Sequence, residues 1–263
     1  MNLGRVKSFL IFLFLFINIY LVISLFMSMR FTVDKKTVQT TVSVLEKNGI
    51  SVDESIIARS LINLKNIDTN NIIYTSKFKK SKYADLYEIK NDNFVFRKKS
   101  SVYSESDNRI KDEVKKILEK SGFETKYMKF GNICEDSQKN KRMSVRCFVG
   151  KYEIFDSSIR VCVSKDSISF AGSWYEPLSS DVKSKSRSRD TVYVTSVLIN
   201  LIENSKAKEE LPIEITDIDY GYLAGTSYGE GAHVTTAALP YYRIKDNKNN
   251  VYYYDAKNGS YLK

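Results

Sequence analysis

Histidine is almost missing from this chain: His233 is the only one in 263 residues. That count alone excludes Cys/His zinc sites, the HExxH motif and any metal triad built on two histidines. A Ser-His-Asp triad survives the count, but no G-x-S-x-G elbow supports one. Proline is as scarce, at three, while apolar residues make up 43% and aromatics 13%, so collagen-like and low-complexity disordered classes fall away. Three cysteines, Cys134, Cys147 and Cys162, are too few and odd in number for a disulfide framework. Cys147 could bridge to either neighbour in an oxidising compartment, and small, partly buried free thiols are the simpler reading. The glycine-rich stretch with Gly225, Gly229 and Gly231 lacks the Lys-Ser/Thr of a phosphate loop and is followed by strand-like sequence rather than a helix. It reads as a connection between strands or a partner-binding loop. Carboxylates are scattered with no recognisable two-carboxylate frame. No catalytic residue, metal ligand or cofactor is expected, and the chain reads as a non-enzyme.

What is present begins with residues 9–29, a run with no charge in which only Asn18, Ser24, Ser28 and the Tyr20 phenol are polar. As a helix it would be about 30 Å long, the thickness of a bilayer's hydrocarbon core, with its backbone groups satisfied internally. Arg5 and Lys7 would also suit a signal peptide, yet the run is too long for one and Phe26-Met27-Ser28-Met29-Arg30 is too bulky for a small-x-small cleavage site. The expectation is an uncleaved, single-pass signal-anchor in the cell membrane. Residues 1–8 form a cytoplasmic leader, 9–29 the transmembrane helix, and the large C-terminal part is extracellular. Positive charges flank both ends, Arg5 and Lys7 against Arg30, Lys35 and Lys36, so the orientation rests on the short leader and on the ease with which long domains translocate. Asn18 is costly in hydrocarbon unless its amide finds a partner. Helical spacing sets Phe14, Leu15, Leu21, Val22, Leu25 and Ser28 on or beside its face, a stripe suited to partner binding. The other reading has the Asn18 amide bonding the carbonyl one turn back.

The rest of the chain reads as α+β, with helices on one face of antiparallel sheets in repeated units. Val44-Leu45-Glu46-Lys47-Asn48-Gly49-Ile50 answers Ile117-Leu118-Glu119-Lys120-Ser121-Gly122-Phe123. Each looks like a helix end, with lysine in the last turn, glycine just past it and an apolar residue folding back. Helical spacing of Val38, Thr41 or Val42 and Leu45, and of Ile110, Val114, Ile117 and Leu118, places a buried stripe on each. Strand-like sequence covers 71–75, 83–89, 94–97, 124–130, 145–155, 159–164 and 167–171, with turns at Asp156-Ser157-Ser158 and Lys165-Asp166. A third helix is expected over 191–203 with Asp190 as N-cap, then strands over 213–223, 234–244 and 251–255. The units are therefore 30–105, 106–180 and 191–263, with a basic, serine-rich linker at 181–190.

The net charge of +10 gathers in local runs: Lys77, Lys79, Lys80 and Lys82; Arg97 to Lys99; Lys183, Lys185, Arg187 and Arg189. On a tethered domain these suit solvated loops and strand edges, or anionic lipid headgroups and wall polymers. Tyr241-Tyr242 and Tyr252-Tyr253-Tyr254 suit packing in a sheet as well as stacking on a ligand.

Three stretches carry a resemblance to a known family. They are Gly4-Arg5-Val6-Lys7-Ser8-Phe9-Leu10-Ile11 with Phe16-Ile17-Asn18-Ile19-Tyr20-Leu21 downstream, the helix end at 45–50, and the closing segments 237–244 and 251–261. Together they resemble YycI, the membrane-anchored accessory protein of the Yyc (Wal) two-component system of low-GC Gram-positive bacteria. The closing pattern is similar to that of PepSY-like domains too, and Tyr242 stands where the YycI family has tryptophan. The resemblance covers about a third of the chain. It implies a regulator in cell-wall homeostasis that associates with the sensor histidine kinase and a YycH-like protein, largely through transmembrane helices. No nucleic acid is expected as a partner, and a homo-oligomer is compatible with it. The alternatives are a wall-polymer or anionic-lipid binding module and an envelope hydrolase.

Overall fold

The computed structural model describes residues 3–28, 32–62, 64–90, 92–179, 191–225 and 235–262, with side chains given from residue 10 to 23 in the first helix. The basic linker, His233, Gly229 and Gly231 lie outside the described residues.

Six α-helices are described: α1 (Leu3–Ser28), α2 (Lys35–Lys47), α3 (Ser76–Lys79), α4 (Asp107–Lys120), α5 (Val194–Ile202) and α6 (Ser205–Glu209). Thirteen strands join one sheet: β1 (Ile50–Val52), β2 (Ile67–Asn71), β3 (Tyr87–Lys90), β4 (Asn93–Lys99), β5 (Met128–Phe130), β6 (Cys134–Glu135), β7 (Lys141–Val149), β8 (Tyr152–Val163), β9 (Ser167–Ser173), β10 (Tyr175–Pro177), β11 (Ile213–Leu223), β12 (Thr235–Asp246) and β13 (Val251–Asp255). The α+β class is as expected.

The two helix ends are matched in structure as in sequence. Gly49 and Gly122 have φ of +77° and +95°, and each donates its N–H to the carbonyl three residues back, Glu46 and Glu119. After α4 the Phe123 N–H also reaches the Leu118 carbonyl, completing the paired hydrogen bonds of a Schellman cap. The apolar stripes bury as spaced: Val38, Thr41 and Leu45 on α2, and Ile110, Val114, Ile117 and Leu118 on α4.

Two cores result. Around α4 the sheet contributes Phe94, Phe96 and Phe170: Phe94 meets Tyr87 and Phe123 edge-on, Phe96 stacks on Phe170, and Trp174, between β9 and β10, meets Phe123 edge-on. Around α2 and α5 it contributes Ile213, Ile215, Ile244, Tyr252 and Tyr254. The C-terminal tyrosines are therefore core residues, with Tyr242 buried as well.

The sheet is mixed rather than antiparallel throughout. β1 pairs parallel with β11, Ile50 opposite Ile213, and β11 meets β8 in parallel at Tyr222 and Ile154. That junction needs Gly221, because a Cβ there would stand 2.4 Å from the Glu153 carbonyl oxygen. Strands pair across the boundaries drawn at 105/106 and 180/181: β4 with β9, β2 with β10 and β12.

Several local expectations change. The turn placed at Asp156-Ser157-Ser158 is the middle of β8, and the chain reverses at Gly150-Lys151 instead. The polar residues there serve tertiary bonds, not solvent. Asp156 accepts the Ala224 and Gly225 amides, while the Ser157 hydroxyl bonds the Tyr175 backbone; the β7 register shifts between Arg146 and Cys147 to accommodate them. The strands expected at 71–75, 83–89 and 124–130 are partly single 3-10 turns, Ile72–Tyr74, Ala84–Leu86 and Thr125–Tyr127. In the first, β-branched Ile72 and Ile73 reach the core from a turn as well as a strand would let them. The third helix begins at Val194, later than expected, with Tyr193 at the N-cap position and no side-chain capping bond; Asp190 lies outside the described residues.

Candidate functional site

The helix singled out by sequence, α1, runs for 26 residues. Phe14, Leu15, Asn18, Leu21 and Val22 are all exposed, as is every other described side chain from Leu10 to Ile23. Leu25 and Ser28 belong to the helix, but their side chains lie outside the described residues. Asn18 Nδ2 donates to the Phe14 carbonyl at 2.8 Å, so part of the amide is satisfied within the helix, one turn back. Among the described residues no helix is long and apolar enough to cross a membrane; the described side chains of α1 cover about 21 Å of helix, short of a bilayer core.

Two groups of basic side chains lie on the sheet, and their chemistry differs. On β12, Arg243 is 9% exposed. Its Nε and Nη2 donate to Asp219 on β11 and Nη2 also to Glu153 on β8, at 2.8 Å for Glu153. The guanidinium lies 4.2 Å from the Phe155 ring centroid. Lys245 bonds Asp217 and Asp219 beside it. Burial works to raise the Asp219 carboxyl, but the hydrogen bonds and charge of Arg243, with those of Lys245, hold it below the ordinary carboxylate value. Every cation there has its carboxylate.

The second group lies on the outer face of β7, β8, β9 and β4, opposite the α4 core. Strand alternation buries Met143, Val145, Val161, Ile168 and Phe170, and turns Arg142, Ser144, Arg160, Cys162, Ser169, Ala171 and Arg97 outward. One cross-strand row reads Cys134, Arg142, Cys162, Ser169, Arg97, and the next Ser144, Arg160, Ala171, Val95. The small side chains in the middle leave a groove of about 520 Å³ walled by the three arginines. Arg142 pairs with Asp136 at 2.6 Å. The side chains of Arg97 and Arg160 make no hydrogen bond or ion pair among the described residues.

Burial pushes the Asp156 carboxyl up, against the Gly225 and Ala224 amides that bind its charged form; those bonds tie β8 to the end of β11. Cys134, Cys147 and Cys162 are all free, and burial pushes the Cys147 thiol up, away from the reactive thiolate. Among the described residues no three His, Cys, Asp or Glu side chains gather as a metal site.

Sequence reasoning named Arg97 within a basic run but passed over Arg142 and Arg160. Their signal was the alternation Arg142-x-Ser144-x-Arg146 and Arg160-x-Cys162, arginines sharing the outward face of strands with small residues.

No family model matches the chain, and no curated protein matches it. Among solved structures, an uncharacterized protein from Eubacterium rectale ATCC 33656 is similar at a TM-score of 0.42 and 11% identity, covering 81% of this chain and 90% of its own.

Proposed function

We propose that the chain is a membrane-anchored, non-catalytic regulator that associates with a sensor histidine kinase of the Yyc/Wal type, together with a YycH-like protein, and modulates its activity largely through α1. The leader is cytoplasmic and the α+β part extracellular. The observation that carries this reading is α1 itself: exposed on every described side from Leu10 to Ile23, apolar but for Asn18 and the Tyr20 hydroxyl. A helix apolar all round and not buried in its own protein's core calls for lipid or another helix as its surroundings. The charge-free run 9–29 in the sequence has the length for the first. The resemblance to YycI supplies the kinase.

The Asn18 bond to Phe14 moves the weight of the contact from the amide to the packing of Phe14, Leu15, Leu21, Val22, Leu25 and Ser28. Interhelical hydrogen bonds in membranes average only about 0.6 kcal/mol in any case.

Location is tested by thiol labelling of whole cells. Cys134 is exposed, so a membrane-impermeant maleimide should label the chain in intact cells, and the chain should stay with membranes after alkaline extraction. Labelling only after lysis, or release by alkali, would contradict the proposal.

A further inference from the structure

We infer that the outer face of β7, β8, β9 and β4 is a binding groove for a linear phosphodiester polyanion that carries no aromatic bases. The inference uses the extracellular placement proposed above only to say where such a polymer is met; the groove's chemistry is independent of it.

Charge is the first argument. Arg142 and Arg97 stand in one cross-strand row, three strand spacings or about 14 Å apart. Arg160 lies between them one row along, diagonal to Arg142 at about 7 Å. This line of guanidiniums has one carboxylate in contact among the described residues, Asp136 on Arg142; Glu88 lies opposite Val95 on the neighbouring strand. An arginine without a carboxylate is available for the two-pronged hydrogen bonds that its planar fork makes to phosphate. The equally basic pair Arg243 and Lys245 has no such availability, since both are taken up by Glu153, Asp217 and Asp219.

Shape is the second. Ser144, Cys162, Ser169 and Ala171 form a floor of short side chains, so a chain can approach the sheet and take hydroxyl hydrogen bonds between the arginines. A recess crossing four strands fits an extended polymer better than the broad plane of a lipid surface.

The absence of stacking surfaces is the third. The one ring that lines the groove, Phe170, is 1% exposed, so bases have no platform of the sort that single-stranded nucleic acids use. Val95, 47% exposed, and the Ala171 methyl suit aliphatic polyol units between phosphates.

The test uses the full chain in phosphatidylcholine nanodiscs, titrated with a fluorescent oligo(glycerol phosphate). Binding should saturate and should slow alkylation of Cys134, which lines the groove and is exposed. The double variant Arg97→Ala/Arg160→Ala should lose about tenfold in affinity, with a shallower dependence on salt by about one to two charges. Lys79→Ala/Lys80→Ala removes as much charge from exposed residues that do not line the groove and should leave affinity within about twofold. The inference is overturned if the two double variants lose equally, if polyglutamate of equal length protects Cys134 as well, or if an oligodeoxynucleotide binds more tightly. It is also overturned if the arginine pair matters for anionic-lipid vesicles and not for the soluble oligomer. Because binding is read on the purified chain, its failure is separate from a failure of the labelling in cells.

Discussion

Arg243 and Arg160 are both arginines on central strands of one sheet, and they do opposite things. Arg243 is buried, shared between Glu153 and Asp219 and laid on the Phe155 ring. Arg160 is exposed, flanked by serines, alanine and a thiol, and meets no carboxylate among the described residues. A cation whose charge is answered inside the fold is there for the fold, because a buried charge must be compensated. One left unanswered on a recessed face adds nothing to the fold by pairing, and is available to the ligand inferred above. Net charge of +10 says nothing of this division; the pairing does.

The comparison is broken most severely if Arg243 proves dispensable. Arg243→Ala leaves Glu153 and Asp219 without their main partner and should cost on the order of 3 kcal/mol, read from urea unfolding of the full chain in micelles. Arg160→Ala and Arg97→Ala should each shift the same midpoint by no more than about 0.5 kcal/mol.

Acid sharpens it next. Although burial opposes ionisation at Asp219 and Asp246, hydrogen bonds and charge from Arg243 at the first, and hydrogen bonds from Asn250, Tyr252 and Lys248 at the second, hold both carboxyls below their ordinary values. Such groups contribute stability that is complete above the unfolded carboxylate value of about 4 and is lost as pH falls through the lower folded value. Stability should therefore fall below about pH 4, and less steeply in Arg243→Ala, where Asp219 keeps only Lys245 to hold its carboxyl down. Parallel acid curves for the two proteins would detach Asp219 from Arg243.

Much of the architecture was legible because it follows from local rules. The two Gly-terminated helix ends, the apolar stripes of α2 and α4, and the strands Ile213–Leu223 and Val251–Asp255 fell where periodicity and caps put them. What escaped was decided at long range. Nothing near Ile50 announces a parallel partner at Ile213, and Asp156-Ser157-Ser158 looks like a turn until the Ala224 and Gly225 amides and the Tyr175 backbone arrive from distant segments. The groove was hidden for the same reason: Arg97, Arg142 and Arg160 are brought to one face only by the pairing of β4, β9, β8 and β7.

The smallest expected effect lies on α1. Asn18 already gives one amide hydrogen to the Phe14 carbonyl, so Asn18→Leu should weaken co-purification with the proposed kinase partner by no more than about threefold. Leu21→Trp, which alters the shape of the stripe, should weaken it more than Ile19→Trp or Ile23→Trp off that face.

The most direct measurement replaces α1 with a scrambled apolar helix of equal length and composition, and compares recovery of the sensor kinase with the full chain from solubilised membranes. The scrambled chain should still reach the membrane, still label at Cys134 from outside, and recover several-fold less kinase than the native one. Equal recovery, with regulation intact, would contradict the claim that α1 is the contact and would place the interaction on the α+β part of the chain.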